Sequence, residues 1–151
     1  MQEYLDNCSK KTYNSPEKLL ENLCEHYNVP SIKIEYISEI SLSKGRLAYD
    51  ASVMYLNSVP VLDEEDFIPV VYHEFRHAWQ KKYYPEIYKW WLKTNYDFYS
   101  KIGQYKYQVC ELEIDAKAFG DSCGENTCED VFDNFIPDKD YYLQKISDLR
   151  H

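Results

Sequence analysis

The amino-acid sequence predicts an α+β domain in which a small sheet of about three strands precedes most of the helices. Three patterns indicate this class. Residues 15–28 form an amphipathic helical pattern, residues 32–36 and 52–57 have the composition of strands, and residues 70–82 return to a helical period. The chain of 151 residues shows no internal repeat or low-complexity linker, so we expect one domain over residues 1–151.

The first predicted helix begins at Ser15, a good N-cap residue, and Pro16 suits its first turn. Its apolar stripe consists of Leu19, Leu20, Leu23, Cys24 and Tyr27. The segment SIKIEYI that follows alternates apolar and charged side chains, which is typical of a half-buried strand. After a turn at Gly45, the segments RLAYD and SVMYLN predict two further short strands.

The rest of the chain is predicted to be mainly helical. Acidic residues 63–66 favour a helix start, with either Asp63 or Asp66 as the cap, and residues 70–82 are helical in both cases. Gly120 suits the C′ position of a later helix. The further helical patterns occupy residues 86–100, 104–119 and 138–150.

Charge and cysteine content restrict the possible partners. The formal net charge of -9 lacks the basic patch that binds phosphates, so we expect no nucleic-acid partner. No apolar run is long enough to cross a bilayer and no export signal is visible, so we expect no membrane association. Five scattered cysteines, an odd number, are typical of thiols in a reducing compartment. We therefore expect a cytoplasmic protein.

The segment HEFRH, residues 73–77, contains two of the four histidines of the chain. Residues four apart lie on one face of a helix, so His73 and His77 can direct two imidazoles at one point. Zinc in catalytic sites is commonly held by three protein ligands, with the fourth position left for water. The motif therefore predicts two zinc ligands, and Glu74, rotated about 100° around the helix, can reach that water as a general base.

The acidic segment ELEID, residues 111–115, offers the third ligand. Glu111 and Asp115 are four apart and share a helix face, whereas Glu113 points about 200° away from Glu111. This spacing favours Glu111 over Glu113 as the third ligand. It also leaves Asp115 to accept a hydrogen bond from the non-ligating N–H of a zinc-bound imidazole, which fixes the tautomer of that ring.

HEFRH, followed after 34 positions by the Glu111 of ELEID, resembles the gluzincin branch of the zincin metallopeptidases. The resemblance covers residues 53–120 or so. The segments HAWQ and ELEIDAKAF are also similar to small phage and mobile-element members of this group. The resemblance implies a compact zincin-like domain in which one helix carries HExxH and a later helix carries E-x-x-x-D.

Carried over residue by residue, the resemblance implies that His73, His77 and Glu111 bind one Zn²⁺. Glu74 would be the general base, and Asp115 would orient His73. The implied activity is a zinc-dependent metallopeptidase that hydrolyses peptide bonds by a Glu-assisted zinc-bound water, on a specific protein target. An inhibitory or regulatory partner could control access to the site.

The resemblance also implies where a substrate binds. In zincins an edge strand beside the cleft pairs with the extended peptide, and SVMYLN stands where that strand would lie. We therefore expect substrate contacts from Val53, Met54, Tyr55 and Leu56. The sixteen tyrosines do not single out a donor that would stabilise the oxyanion.

Arg76 departs from the family pattern, in which the two residues between Glu74 and the second histidine are uncharged. This departure and the small size favour an alternative function, a catalytically inactive zincin-fold regulator that binds a metal or a peptide. A second alternative is a zinc hydrolase of the peptide deformylase kind. Those enzymes use an upstream cysteine ligand in a glycine-containing loop, and neither Cys8 nor Cys24 has that setting.

Overall fold

A computed structural model describes residues 15–40, 43–59, 64–89, 92, 111–129 and 132 of the chain. The side chains of residues 64–66 and 111 lie outside this description. The described elements are one helix, three strands and two further helices, in that order along the chain. The α+β class predicted from the sequence is therefore confirmed.

The first helix, α1, spans Pro16–His26 and begins as predicted. The Ser15 side chain accepts a hydrogen bond from the backbone N–H of Lys18 at 3.2 Å, and Pro16 occupies the first turn, where a missing N–H costs nothing. The buried residues of this helix are Pro16, Leu19, Leu20, Leu23 and Cys24. Leu19, Leu20, Leu23 and Cys24 belong to the hydrophobic core of the described region, together with residues of the two later helices.

Three strands form one sheet: β1 is Lys33–Ile37, β2 is Gly45–Leu47 and β3 is Val53–Asn57. The order is β1-β3-β2, with β3 parallel to β1 and antiparallel to β2. The SVMYLN strand is therefore central, and the expectation that it is an edge strand is wrong. The central position suits its side chains, because Met54 and Leu56 are fully buried and a central strand is shielded from solvent by a neighbour on each side.

The second helix, α2, spans Glu64–Tyr83 and carries HEFRH near its middle. The predicted helical range 70–82 is confirmed, and the helix extends upstream so that Pro69 lies inside it. Val71, Tyr72, Phe75 and Ala78 are buried along its length. Residues 85–89 are also helical.

The third helix, α3, spans Glu111–Asp121 and packs against α2. It continues past Gly120, so the expectation that Gly120 stands at the C′ position is wrong. The positive φ values that end the helix belong to Cys123 and Gly124, at 50° and 88°. Gly120 instead allows close approach, since a Cβ there would lie 2.9 Å from the Cβ of His73.

Three stretches lie outside the described residues: the predicted helix over residues 138–150, most of the one over 86–100, and residues 104–110 of the one over 104–119. Among the helices that are described, none combines the length and the apolar character that a bilayer crossing requires.

Candidate metal centre

The two histidines of HEFRH and one glutamate of α3 meet at the α2–α3 contact. His73 and His77 are one turn apart on α2, with ring centroids 5.2 Å from each other. The Nε2 atom of His73 lies 3.1 Å from Oε2 of Glu113, and Nε2 of His77 lies 3.0 Å from Oε1 of the same carboxylate. The ligand atoms of these three residues all lie within 4.8 Å of one another.

This donor set fits a small divalent cation. Two imidazole nitrogens and one carboxylate oxygen are a common ligand set of catalytic zinc. Metal–ligand distances of about 2.0–2.2 Å place neighbouring ligand atoms of a tetrahedral zinc site roughly 3.3 Å apart. The nitrogen–oxygen separations of 3.0 and 3.1 Å are already close to that value. The three side chains could therefore hold the ion with small side-chain adjustments.

Glu113, the residue that the spacing argument ranked second, occupies the position expected of Glu111. Glu111 is the first residue of α3, and its side chain lies outside the described residues. The spacing argument assumed that the third ligand must share a helix face with Asp115. This assumption fails because Asp115 faces a different part of α2, the side chain of Arg76, while Glu113 faces both histidines.

The charges of Glu113 and His77 stabilise each other. Burial alone would raise the pKa of Glu113, but the charge of His77 and hydrogen bonds from both imidazoles hold that pKa well below its ordinary value. Burial would likewise lower the pKa of His77, yet the Glu113 carboxylate raises it above its ordinary value. In the absence of a metal the two side chains thus form a buried ion pair.

Glu74 lies beside this pair on the same helix. Its side chain is 12% exposed, and its Oε1 lies 4.0 Å from Nε2 of His73. Burial raises the pKa of Glu74, and the positive charges of His77 and His73 oppose that rise. A carboxylate with a raised pKa next to a metal site is suited to accept a proton near neutral pH.

Asp115 is fully buried and does not contact His73 through any hydrogen bond among the described residues. Its Oδ2 accepts hydrogen bonds from Nε of Arg76 at 2.7 Å and from Nε2 of Gln80 at 2.9 Å. Its Oδ1 accepts from Nη2 of Arg76 at 3.2 Å and from the backbone N–H of Cys128 at 2.8 Å. The prediction that Asp115 orients His73 is therefore wrong. Asp115 instead binds Arg76 and Gln80 of α2 and the backbone of the segment after α3.

Arg76, the departure from the family pattern, is 1% exposed. Besides its two bonds to Asp115, it donates from Nη2 to Glu129 at 2.8 Å. Its guanidinium carbon lies 3.6 Å from the centroid of the Trp79 ring, a cation–π contact. The charge inside HEFRH is thus balanced within the protein.

Gln80 is a site residue that the sequence analysis missed. It is fully buried, and its Oε1 lies 2.9 Å from Nδ1 of His77. The available signal was its spacing, because Gln80 follows His77 by three positions and therefore lies on the same face of α2.

The residues expected to contact substrate belong to the central strand β3. Met54 and Leu56 are buried in the core, and Val53 and Tyr55 are half-buried. Of the two strands that flank β3, β2 is the one that reaches Glu74. A hydrogen bond from the backbone of Leu47 on β2 opposes the rise in the pKa of Glu74. The edge strand nearest the candidate centre is therefore β2.

Tyr88 is a buried tyrosine close to the centre. Burial raises its pKa, and the charges of Glu74 and Glu113 raise it further. A phenol that stays protonated can donate a hydrogen bond to an anionic oxygen.

Comparison of the chain with protein-family models, with curated proteins and with solved structures finds no match.

Proposed function

We propose that the chain is a zinc-dependent metallopeptidase of the gluzincin type, with His73, His77 and Glu113 as metal ligands and Glu74 as general base. Its substrate is a peptide bond in a specific protein target.

The convergence of three ligand atoms from two helices carries this proposal. His73, His77 and Glu113 are brought together from positions as far as 40 residues apart. Buried acidic and basic groups are costly unless they are paired or bind a metal, and here they surround a point where a cation fits. The adjacent Glu74 supplies the acid–base group that hydrolysis requires.

The ion would act as a Lewis acid, polarising the peptide carbonyl and lowering the pKa of a nearby water molecule. Glu74 accepts the proton of that water and delivers it to the departing amine. The raised pKa of Glu74 favours the first of these transfers, because a less acidic carboxyl group is a stronger base and accepts a proton more readily. Tyr88, whose pKa is raised by burial and by the charges of Glu74 and Glu113, is a candidate donor of a hydrogen bond to the oxyanion.

The strand of the protein that is available to pair with an extended substrate is β2 rather than β3. Both sides of β3 are occupied by hydrogen-bonded neighbours, and β2 is an edge of the described sheet. Gly45 lets β2 lie directly on α2, since a Cβ there would be 2.6 Å from Cγ1 of Val70. An extended peptide added to β2 would run past Leu47 and toward Glu74.

Metal content and turnover test the proposal separately. We expect purified protein to bind one equivalent of zinc and His77→Ala to bind none. We expect Glu74→Gln to retain the zinc and to lose cleavage of a mixed fluorogenic peptide library, because the amide cannot accept the proton. Wild-type protein that binds zinc yet cleaves nothing, like Glu74→Gln, would support the alternative of a metal- or peptide-binding regulator.

A further inference from the structure

A buried chain of hydrogen bonds connects His77 with the Arg76–Asp115 ion pair, and Gln80 is its middle member. The side-chain amide of Gln80 contacts three groups: Nδ1 of His77, the backbone oxygen of Leu112 and Oδ2 of Asp115, each at 2.9 Å. None of the proposed steps of hydrolysis uses this amide.

The orientation of the Gln80 amide follows from its partners. The Leu112 carbonyl and the Asp115 carboxylate can only accept hydrogen bonds, so both must face the NH₂ group of Gln80. The amide oxygen is then the atom that faces His77.

When His77 is neutral, as a metal ligand must be, this orientation determines which of its ring nitrogens keeps the proton. The amide oxygen of Gln80 accepts only, so Nδ1 of His77 must donate to it. The Nε2 atom, which lies 3.0 Å from Oε1 of Glu113, is then the nitrogen whose lone pair can be given to a metal.

The Gln80 amide is itself held in place. Asp115 receives further hydrogen bonds from Arg76 and from the backbone of Cys128, so its carboxylate cannot turn without breaking several contacts. A flip of the amide would bring its NH₂ group against the Nδ1 proton and its oxygen against two acceptors. The arrangement at Nδ1 is therefore fixed by groups outside the ligand set.

We propose that Gln80 is a positioning residue that fixes the Nδ1–H tautomer and the ring orientation of His77, and that its amide connects the Arg76–Asp115 pair to this ligand. This inference rests on the proposed metal site. Groups that orient a ligating histidine typically contribute about 10- to 100-fold to metal affinity.

Zinc affinity of matched variants tests the proposal. Gln80→Met keeps the volume of the side chain and removes its hydrogen bonds. Asn57→Leu does the same at a buried amide on β3, which bonds the backbone of residues 39, 43 and 59. We expect Gln80→Met to bind one zinc about 10- to 100-fold more weakly than wild type. Asn57→Leu should lower the melting temperature of metal-free protein and leave zinc affinity within about twofold, because the hydrogen bonds of Asn57 to described residues go to the backbone and not to a proposed ligand.

The ¹⁵N spectrum of the His77 ring gives a second readout that needs no variant to fold. In zinc-loaded wild type we expect the proton on Nδ1 and the metal on Nε2. The reverse assignment would overturn the proposal, as would wild-type affinity in Gln80→Met, and both results would leave the metal site intact. Wild type without zinc affinity would instead refute the proposed function, and this inference with it.

Discussion

The buried guanidinium of Arg76 forms ion pairs with Asp115 and Glu129. Removing the guanidinium would leave the Asp115 carboxylate charged and without its ion-pair partner in the interior. Breaking a buried ion pair from one side typically costs about 3–5 kcal/mol. We expect Arg76→Met to lower the free energy of unfolding by that amount, measured by urea titration in EDTA.

Two control variants show whether a loss of stability in Arg76→Met comes from the buried ion pair. Arg46→Met removes an exposed pair with Glu39, and such pairs contribute about 0–1 kcal/mol. Arg76→Met combined with Asp115→Asn should recover much of the loss, because the buried charge is gone while the amide oxygen still accepts from Gln80. A single Arg76→Met variant as stable as Arg46→Met would contradict the ion-pair interpretation.

The choice between Glu111 and Glu113 can be tested by a matched pair of substitutions. Each variant replaces one carboxylate of α3 by an amide of the same shape. We expect Glu113→Gln to lose zinc binding, because a neutral amide is a poor zinc ligand, and Glu111→Gln to bind like wild type. Isothermal titration with zinc measures both, and the opposite pattern would restore Glu111 as the ligand.

The thiol of Cys24 is expected to react slowly in the folded protein. Burial raises its pKa from 9.0 to about 11, so the thiolate is scarce at pH 8. Below pH 9 the thiol is protonated in both the folded and the unfolded protein. As the pH rises from 9 toward 11 the thiol ionises first in the unfolded protein, so the free energy of unfolding decreases over this range.

Alkylation and unfolding would check the Cys24 prediction. Iodoacetamide at pH 8 should label Cys24 far more slowly in buffer than in urea, with the extent at each cysteine read by peptide mass spectrometry. The difference in unfolding free energy between wild type and Cys24→Ala should shrink between pH 9 and 11. Equal labelling rates in buffer and urea would show that the thiol is accessible.

At the scale of elements, the close approach of α2 and α3 depends on Gly120. A Cβ at this position would lie 2.9 Å from both the Cβ of His73 and the backbone oxygen of Pro69. Helix propensity alone would favour Ala over Gly by about 1 kcal/mol. We expect the reverse sign, with Gly120→Ala less stable in urea and weaker in zinc binding, because the helices must separate beside a ligand.

The exposed Lys117 on the same helix provides the control for Gly120. Its ammonium group pairs with Asp121 at the surface, and Lys117→Ala should change stability by less than about 0.5 kcal/mol. A Gly120→Ala protein more stable than wild type would show that propensity outweighs the contact.

The elements that the sequence predicted correctly depend on local signals. Ser15 caps α1 through a hydrogen bond three residues away, and the strand β1 is indicated by residues of its own segment, although Tyr36 is exposed rather than on the half-buried face. The features it missed depend on distant pairings. Nothing in the SVMYLN segment indicates that the strand it forms will pair with β2 as well as with β1. Nothing in the ELEID segment indicates that Arg76 will be buried in an ion pair with Asp115. With Asp115 facing Arg76, Glu113 contacts both histidines, the role that the spacing argument assigned to Glu111.

For the whole molecule, a bound zinc ion would join two helices that are distant in sequence. A ligand that binds only the folded state stabilises it by RT ln(1 + [L]/Kd), about 2.7 kcal/mol at 100 times Kd. We expect the melting temperature to rise on addition of zinc to EDTA-treated protein and to stay unchanged for His73→Ala. Magnesium should produce no shift, because it prefers oxygen ligands and keeps its waters. An equal shift with magnesium would argue against a nitrogen-ligated site.

The division of the ligands between α2 and α3 affects the order of events during synthesis. The imidazoles of His73 and His77 leave the ribosome 40 and 36 residues ahead of Glu113. A nascent polypeptide that stops short of that acid offers only two donors and holds a transition metal weakly. Tight capture thus has to await release of the segment that carries α3, and metal uptake would report completed assembly of this region rather than nucleate it.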